Sequence, residues 1–293
     1  MKKILIMVVC AALAGCCKQN CEKKVTKKLM EGEVKEAILL VAFGTSVKSA
    51  QVSFANIAKL AAKRFKGAEI RWAYTSHIIR KKLAKQGQII LSPVEALDKL
   101  IAEGYNKLTI QSLHTIPGAE FDDLCKVAAS YEDRVVISIG QPLVANYANL
   151  NRVVDLMLEQ APKKRKTDEA LIFMGHGTHH YANLIYVAFQ ALLNDKDKNA
   201  FIGTVEGNPT LDDIIKKCKA NNIKKAYLIP FMSVAGDHAK NDMASDDDDS
   251  WKSILKKNGI TAIPILKGTA ENDKIVDVWL DNCAEALKGK AKY

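Results

Sequence analysis

Short runs of apolar and β-branched residues alternate with helical patterns through most of the chain, and this alternation limits the folds available to it. The runs that predict strands cover residues 37–43, 69–74, 107–113, 134–139, 170–174, 200–205, 225–230 and 261–266. Helical patterns cover about 49–65, 93–103, 121–130, 182–193 and 273–287. Two further helices are predicted, one that begins at residue 211 and one near residue 251. Continuous apolar strands separated by helices are typical of parallel sheets covered on both faces. The pattern therefore predicts an α/β fold.

The pattern occurs twice, which predicts two similar domains. Phe43-Gly44-Thr45 corresponds to Met174-Gly175-His176, and later pieces match in the same order. We expect an N-terminal half over residues 37–145 and a C-terminal half over 146–293, each a parallel sheet flanked by helices, facing each other across a cleft. The C-terminal helix can pack on the first half. Ligands of open α/β sheets bind beyond the carboxyl ends of the strands, so residues that follow the strands are expected to line the site.

The N-terminus predicts export. Residues 1–15 combine a basic start with a short apolar run, as secretory signal peptides do. The sequence Leu13-Ala14-Gly15-Cys16 resembles the lipobox of bacterial lipoproteins, which implies acylation of Cys16 and a stable anchor in the outer membrane, on its periplasmic or surface face. Residues 16–36 are polar and are expected to form the lipidated tether. The alternative is a soluble periplasmic protein cut near the same place.

Composition and charge exclude several classes of protein. A content of 48% hydrophobic and 26% charged residues excludes disorder for most of the chain. The net charge of +10 favours an anionic partner, but no nucleic-acid-binding signature accompanies the basic residues, so nucleic acid is not predicted. Phosphate-loop, dinucleotide-binding and G-x-S-x-G motifs are also absent from the sequence, so no nucleotide cofactor and no serine hydrolase are predicted.

Three potential metal ligands follow strands of the second half. His176 follows the first of these strands, Glu206 ends the second, and His238 lies in the connection after the third. A single histidine is more often a structural residue, but three ligands at equivalent strand ends favour a metal site. Two imidazoles and one carboxylate suit a divalent ion such as Co²⁺, Fe²⁺, Ni²⁺ or Zn²⁺ and leave a position open for a substrate. His114, at a strand end of the first half, is either a pocket residue or a core histidine.

Several motifs resemble those of one enzyme family. They are Val41–Ser46, Tyr74–Arg80, Ile110–His114, Phe173–His180 and Ala235–Trp251. Together they resemble the anaerobic cobalt chelatases of vitamin B12 synthesis, which are class II tetrapyrrole chelatases acting on sirohydrochlorin. The resemblance extends from about residue 37 to 287. It implies a two-domain fold and a metal held by the same three residues, His176, Glu206 and His238.

The resemblance also implies a reaction. The protein would insert Co²⁺ or Fe²⁺, as a substrate, into a tetrapyrrole that loses two pyrrole protons. His176 is expected to accept a proton as well as to bind metal. Glu120 matches His238 in the duplication and is expected to transfer protons or face the substrate, the alternative being a surface carboxylate. The residues expected to bind the tetrapyrrole are Thr45, Ser46, Arg80 and His114, with Arg80 directed at the substrate carboxylates.

The predicted address leaves a second function open. Corrin synthesis is normally cytoplasmic, whereas this chain carries an export signal. The alternative is an outer-membrane haem-binding lipoprotein that captures haem, or removes its iron, for iron acquisition. Its partner would be a TonB-dependent receptor. The sequence does not decide the oligomeric state, and a homo-oligomer is compatible with either function.

Overall fold

The computed structural model describes residues 32–289. The predicted signal peptide, Cys16 and the first part of the predicted tether lie outside the described residues. Two four-stranded parallel sheets form the framework. The first contains β1 (Glu36–Ala42), β2 (Glu69–Tyr74), β3 (Lys107–Ser112) and β4 (Val136–Gly140) in the order β2-β1-β3-β4. The second contains β5 (Ala170–Gly175), β6 (Ala200–Thr204), β7 (Lys225–Pro230) and β8 (Thr261–Pro264) in the order β6-β5-β7-β8. The predicted fold class is confirmed.

Helices connect the strands. They are α1 (Gln51–Arg64), α2 (His77–Lys85), α3 (Pro93–Ala102), α4 (Ala119–Ala129), α5 (Tyr147–Leu158), α6 (Leu184–Lys196), α7 (Leu211–Ala220), α8 (Trp251–Lys257) and α9 (Asp273–Leu287). A short π-helix covers Ala239–Met243, and single 3₁₀ turns cover Lys48–Ala50, Tyr181–Asn183 and Thr269–Glu271. Between residues 32 and 289, none of the helices has the length and apolar content needed to cross a membrane.

Local sequence signals explain where several helices begin. Ser92 caps α3, its hydroxyl accepting from the backbone of Glu95 while the Glu95 carboxylate accepts from the backbone of Ser92, and Pro93 occupies the first turn. Thr210 and Asp213 form the same reciprocal arrangement at α7. Polar groups that helix formation would leave unpaired are thus satisfied locally.

The two sheets share one core. Along β1, Ile38 and Leu40 point into the same apolar cluster as Leu171 and Phe173 of β5. The alternate residues of β1 lie in a separate cluster on the outer face of the first sheet, and those of β5 lie in another cluster on the outer face of the second. Since successive side chains of a strand point to opposite faces, one face of each sheet contributes to a joint interior. The halves are therefore packed against each other.

The C-terminal helix of the second half packs on the first half. Helix α9 packs against β3, β4 and α1, although it follows the second sheet in the chain. Trp279 of α9 is completely buried in the shared core, and its indole Nε1–H donates to the backbone oxygen of His114 at 3.1 Å. One helix thus links the end of the chain to the strand ends of the first half.

Candidate metal and substrate site

The site lies where two neighbouring strands of the second sheet end. β5 and β7 are paired, with Met174 opposite Pro230, and the N–H of Phe231 donates to the oxygen of Met174 at 2.7 Å. β6 lies on one side of β5 and β7 on the other, so the order in which strands are added to the sheet reverses at β5. Such a switch point opens a crevice at the carboxyl ends of the strands. The connections after β5 and β7 carry His176 and His238 respectively.

The two glycines beside His176 are required by close packing. A Cβ on Gly175 would overlap with the ring of Tyr186, which is fully buried beneath the turn. Gly177 has a φ of +83°, and a Cβ there would lie 2.6 Å from the backbone carbon of Glu206. The Gly177 N–H also donates to the hydroxyl of Tyr186 at 3.3 Å. Only glycine tolerates both the conformation and the contact, so the turn holds His176 in a fixed place.

His176 and His238 lie side by side. Their ring centroids are 4.7 Å apart and their planes are perpendicular. Nδ1 of His176 lies 2.9 Å from the backbone oxygen of Gly177, and Nδ1 of His238 lies 2.5 Å from Oδ2 of Asp242. A carbonyl or carboxylate oxygen only accepts, so Nδ1 of each ring carries the proton. Both Nε2 atoms therefore have a lone pair available for a metal ion or a proton.

Glu206 is joined to this pair through its backbone. Its N–H donates to the oxygen of His176 at 2.7 Å, and its side chain is exposed. Among residues 32–289, no three His, Cys, Asp or Glu side chains are arranged so that they could hold a metal ion. The structure thus brings together two of the three predicted ligands and places the third beside them by its main chain. Its role as a ligand stays a prediction.

Contacts from the first half reach the same region. Thr45, at the end of β1, is buried, and its hydroxyl oxygen lies 3.6 Å from where a Cβ on Gly236 would lie. The ammonium of Lys240 donates to the hydroxyl of Ser49 at 2.7 Å. The strand-end connections of both halves therefore meet, as a site between two facing halves requires.

A histidine and a carboxylate also join the two halves. Nδ1 of His180 accepts from the N–H of Ala182 at 3.2 Å, so its proton lies on Nε2. Nε2 lies 3.2 Å from Oδ2 of Asp122 in the first turn of α4. Glu120 is exposed in the same turn. The turn that carries Glu120 is thus held against the second half.

The remaining predicted substrate residues have different surroundings. Ser46 is partly exposed beside Thr45. The guanidinium of Arg80 lies 3.3 Å from the carboxylate of Glu95, and its buried Nε has no hydrogen-bond partner among the described residues. Arg80 is thus occupied on one side by an ion pair. Its predicted contact with a substrate carboxylate is not tested by this arrangement.

His114 follows the end of β3 and is half-buried. Its Nδ1 lies 2.9 Å from the hydroxyl of Ser112, and its Nε2 is buried without a hydrogen-bond partner in the described part of the chain. Burial lowers the pKa of His114 to about 4, because the charged imidazolium loses its hydration there. His114 is therefore a neutral imidazole at physiological pH. Its predicted contact with the substrate stays a prediction.

Sequence reasoning missed three side chains that organise the site. Tyr186 supports the turn around His176, Asp122 accepts from His180, and Asp242 accepts from His238. Asp242 had a readable signal, because a carboxylate four residues after a histidine can reach it on a helical turn. For Tyr186 and Asp122, the partners are distant in sequence or depend on the packing of the halves.

Comparisons with known proteins agree with one another. Residues 36–288 match the family model described as Cobalt chelatase (CbiK). The chain is 40% identical over 256 residues to the sirohydrochlorin cobaltochelatase CbiKC of Nitratidesulfovibrio vulgaris, covering 86% of this chain and 91% of that protein. It is 34% identical over 257 residues to the sirohydrochlorin cobaltochelatase of Salmonella typhimurium, covering 87% of this chain and 97% of that protein.

Solved structures share the fold. SirB from Bacillus subtilis with Fe³⁺ is similar with a TM-score of 0.57 and 13% identity, over 86% of this chain and 96% of that one. CbiX, described as the terminal enzyme for siroheme biosynthesis in denitrifying bacteria, is similar with a TM-score of 0.53 and 16% identity, over 85% of this chain and 99% of that one. At such identities the likeness concerns the architecture of the chain.

The lowered pKa of His114 predicts a pH dependence of the free energy of unfolding. Its pKa is about 6.5 when unfolded and about 4 when folded, so between these values the unfolded chain binds a proton that the folded chain does not. The free energy of unfolding therefore falls as the pH falls from 6.5 to 4, with a contribution from His114 of up to about 1.4 kcal/mol per pH unit. Urea unfolding of the wild type and of His114→Gln at several pH values measures this contribution.

The control is His77→Gln, which makes the same change at an exposed histidine. It should keep the pH slope of the wild type, whereas His114→Gln should show a shallower slope. Parallel curves for the wild type and His114→Gln across this range would contradict the neutral state of His114.

Proposed function

This chain belongs to the cobalt chelatase (CbiK) family and is therefore a metallochelatase, and we propose that it inserts Co²⁺ into sirohydrochlorin. The observation that carries the proposal is the perpendicular pair of His176 and His238, whose Nε2 lone pairs can serve one ion. Both curated relatives described above are named for this reaction. The identity of the metal and of the tetrapyrrole in this chain is our proposal.

The metal would be held by three groups. His176 and His238 supply two neutral nitrogen ligands, which suit borderline divalent ions. Glu206 supplies a carboxylate, and its backbone is already bonded to His176. Three protein ligands leave a coordination position for a pyrrole nitrogen, as a site that must release its metal requires.

Insertion exchanges one divalent ion for two protons. Each pyrrole N–H that becomes a metal ligand loses its proton, so two bases are needed. When the ion moves to the macrocycle, the Nε2 atoms of His176 and His238 regain lone pairs and can accept those protons. Glu120 is exposed in the first turn of α4, in the opposite half, and can act as a further acceptor. Charge is conserved, because two protons leave as one Co²⁺ enters.

The residues near His176 and His238 suit a large, flat, anionic tetrapyrrole. Phe43 follows β1, and Tyr181 and Leu184 follow the His176 turn, and all three side chains are exposed near the strand ends. Apolar side chains of this kind pack on the faces of aromatic ligands. The Thr45 hydroxyl oxygen accepts from the N–H of Val47 at 3.1 Å, which leaves its proton for a substrate carboxylate. The net charge of +10 favours the approach of a polycarboxylate.

The test is an absorbance assay of the purified mature protein with sirohydrochlorin and Co²⁺, and with Fe²⁺ or haem in parallel. The wild type should accelerate Co²⁺ insertion. Because His176 and His238 both bind metal and accept protons, His176→Ala and His238→Ala should each reduce the rate by a factor of about 10² or more. His179→Ala removes an exposed histidine three residues away and is expected to retain the wild-type rate.

Haem is included in this assay because the predicted export signal favours the alternative function, which is haem capture. Tight haem binding with a Soret shift, together with no acceleration of metal insertion, would contradict the chelatase proposal. Full activity of both alanine variants would contradict the assigned ligands. The TonB-dependent receptor and a homo-oligomer stay predictions.

We also propose that the protein is exported and anchored to the outer membrane through lipid on Cys16. Support comes from the basic and apolar start of the chain and from the small residues in register before Cys16. The polar segment that follows is long enough to separate the folded halves from a membrane surface. Substrate would then be met outside the cytoplasm.

The proposed lipid attachment and outer-membrane location are tested in bacteria grown with a labelled fatty acid. The wild type should carry the label and fractionate with outer membranes, and Cys16→Ser should lose the label because the acceptor thiol is gone. Cys17→Ser changes the adjacent cysteine and should stay labelled. An unlabelled wild type, or a labelled Cys16→Ser variant, would show that Cys16 is not the attachment site.

A further inference from the structure

The connection after β7 ends in an unusual turn. Residues Ala239–Met243 form a π-helix that begins immediately after His238. π-Helical turns are rare and are found mostly at functional sites. This turn places Asp242 beside the imidazole of His238, with Oδ2 2.5 Å from Nδ1. The π-helix thus carries the hydrogen-bond acceptor of the proposed metal ligand that immediately precedes it.

The other polar residues of this segment have partners elsewhere. The Asn241 amide donates to Asp237 at 3.1 Å, and the Lys240 ammonium donates to Ser49 at 2.7 Å. The carboxylate of Asp242 is the one that faces His238. Both side chains of the pair are partly exposed, so the imidazole is not fixed by burial and depends on its hydrogen bond for orientation.

His176 has a different kind of support. Its Nδ1 proton is held by the backbone oxygen of Gly177, which the tight turn keeps in place. His238 relies on a side chain for the same task. Removing the Asp242 carboxylate can therefore release His238 while leaving His176 unchanged. The contributions of the two histidines can thus be tested separately.

We propose that Asp242 is a positioning residue for metal transfer. Its carboxylate accepts the Nδ1 proton of His238, so that the Nε2 lone pair is presented toward His176. Without this acceptor, the ring can rotate and its proton can move to Nε2, and each of these changes removes a ligand. Acceptors of this kind typically affect metal affinity by about 10-fold to 100-fold. The role rests on the proposed function, because it assigns His238 to the metal.

Two measurements on metal-free and metal-loaded protein test the role. Nitrogen-15 NMR of the metal-free protein should show the wild-type His238 with its proton on Nδ1. Asp242→Ala should give a mixture of tautomers at His238 and no change at His176. Titration with Co²⁺ alone should show about 10-fold to 100-fold weaker binding for Asp242→Ala. Asp242→Asn keeps an oxygen acceptor and should retain most of the affinity.

The matched control is Asp246→Ala, which removes a carboxylate four residues later that is paired with Lys252. It should bind Co²⁺ as the wild type does. Unchanged Co²⁺ affinity in a folded Asp242→Ala variant would overturn the proposal. A wild-type His238 with its proton on Nε2 would overturn it without any variant. Failure of the wild type to metallate sirohydrochlorin would instead count against the proposed function, since the tautomer is measured without substrate.

Discussion

The pairing of β5 with β7 is the constraint on which the site depends. Backbone hydrogen bonds between these strands bring the connection that carries His176 next to the one that carries His238, although the residues are far apart in the chain. The bond from the Glu206 N–H to the oxygen of His176 adds the end of β6 to the same edge. The closeness of these three strand ends, which carry the proposed ligands, is therefore a consequence of sheet order. The core that the two sheets share keeps the first half packed against the second.

Two kinds of histidine have been placed near one edge of the molecule by this arrangement. His114 is half-buried with its Nε2 enclosed, and loss of hydration lowers the pKa of the imidazole and keeps it neutral. His176 is exposed and His238 is partly exposed after the strand ends, and Nδ1 of each ring is hydrogen-bonded to an oxygen. Packing holds His114 in place, whereas hydrogen bonds orient His176 and His238. This difference favours the pair over His114 as the proposed ligands of an ion that must enter and leave.

The sequence predicted the strands, the duplication and the closeness of His176 to His238, because each follows from local periodicity and from the rule that parallel strands end at one edge. Helices α2 and α5 were missed. α2 is short and polar and buries only Leu83 along its length, while α5 gains its stability from contacts with the core that both halves share. Asp242 lies four residues after His238, a spacing that fits a helical turn, but the sequence does not show that this turn is a π-helix.

Anomalous diffraction at the cobalt absorption edge, from crystals of the protein grown with Co²⁺, would locate the ion relative to His176 and His238. We expect one strong peak between the two rings, about 2.0–2.2 Å from Nε2 of His176 and of His238, with a carboxylate oxygen of Glu206 as the third protein ligand. A peak away from the two imidazoles, for example on the exposed carboxylates of residues 246–249, would contradict it.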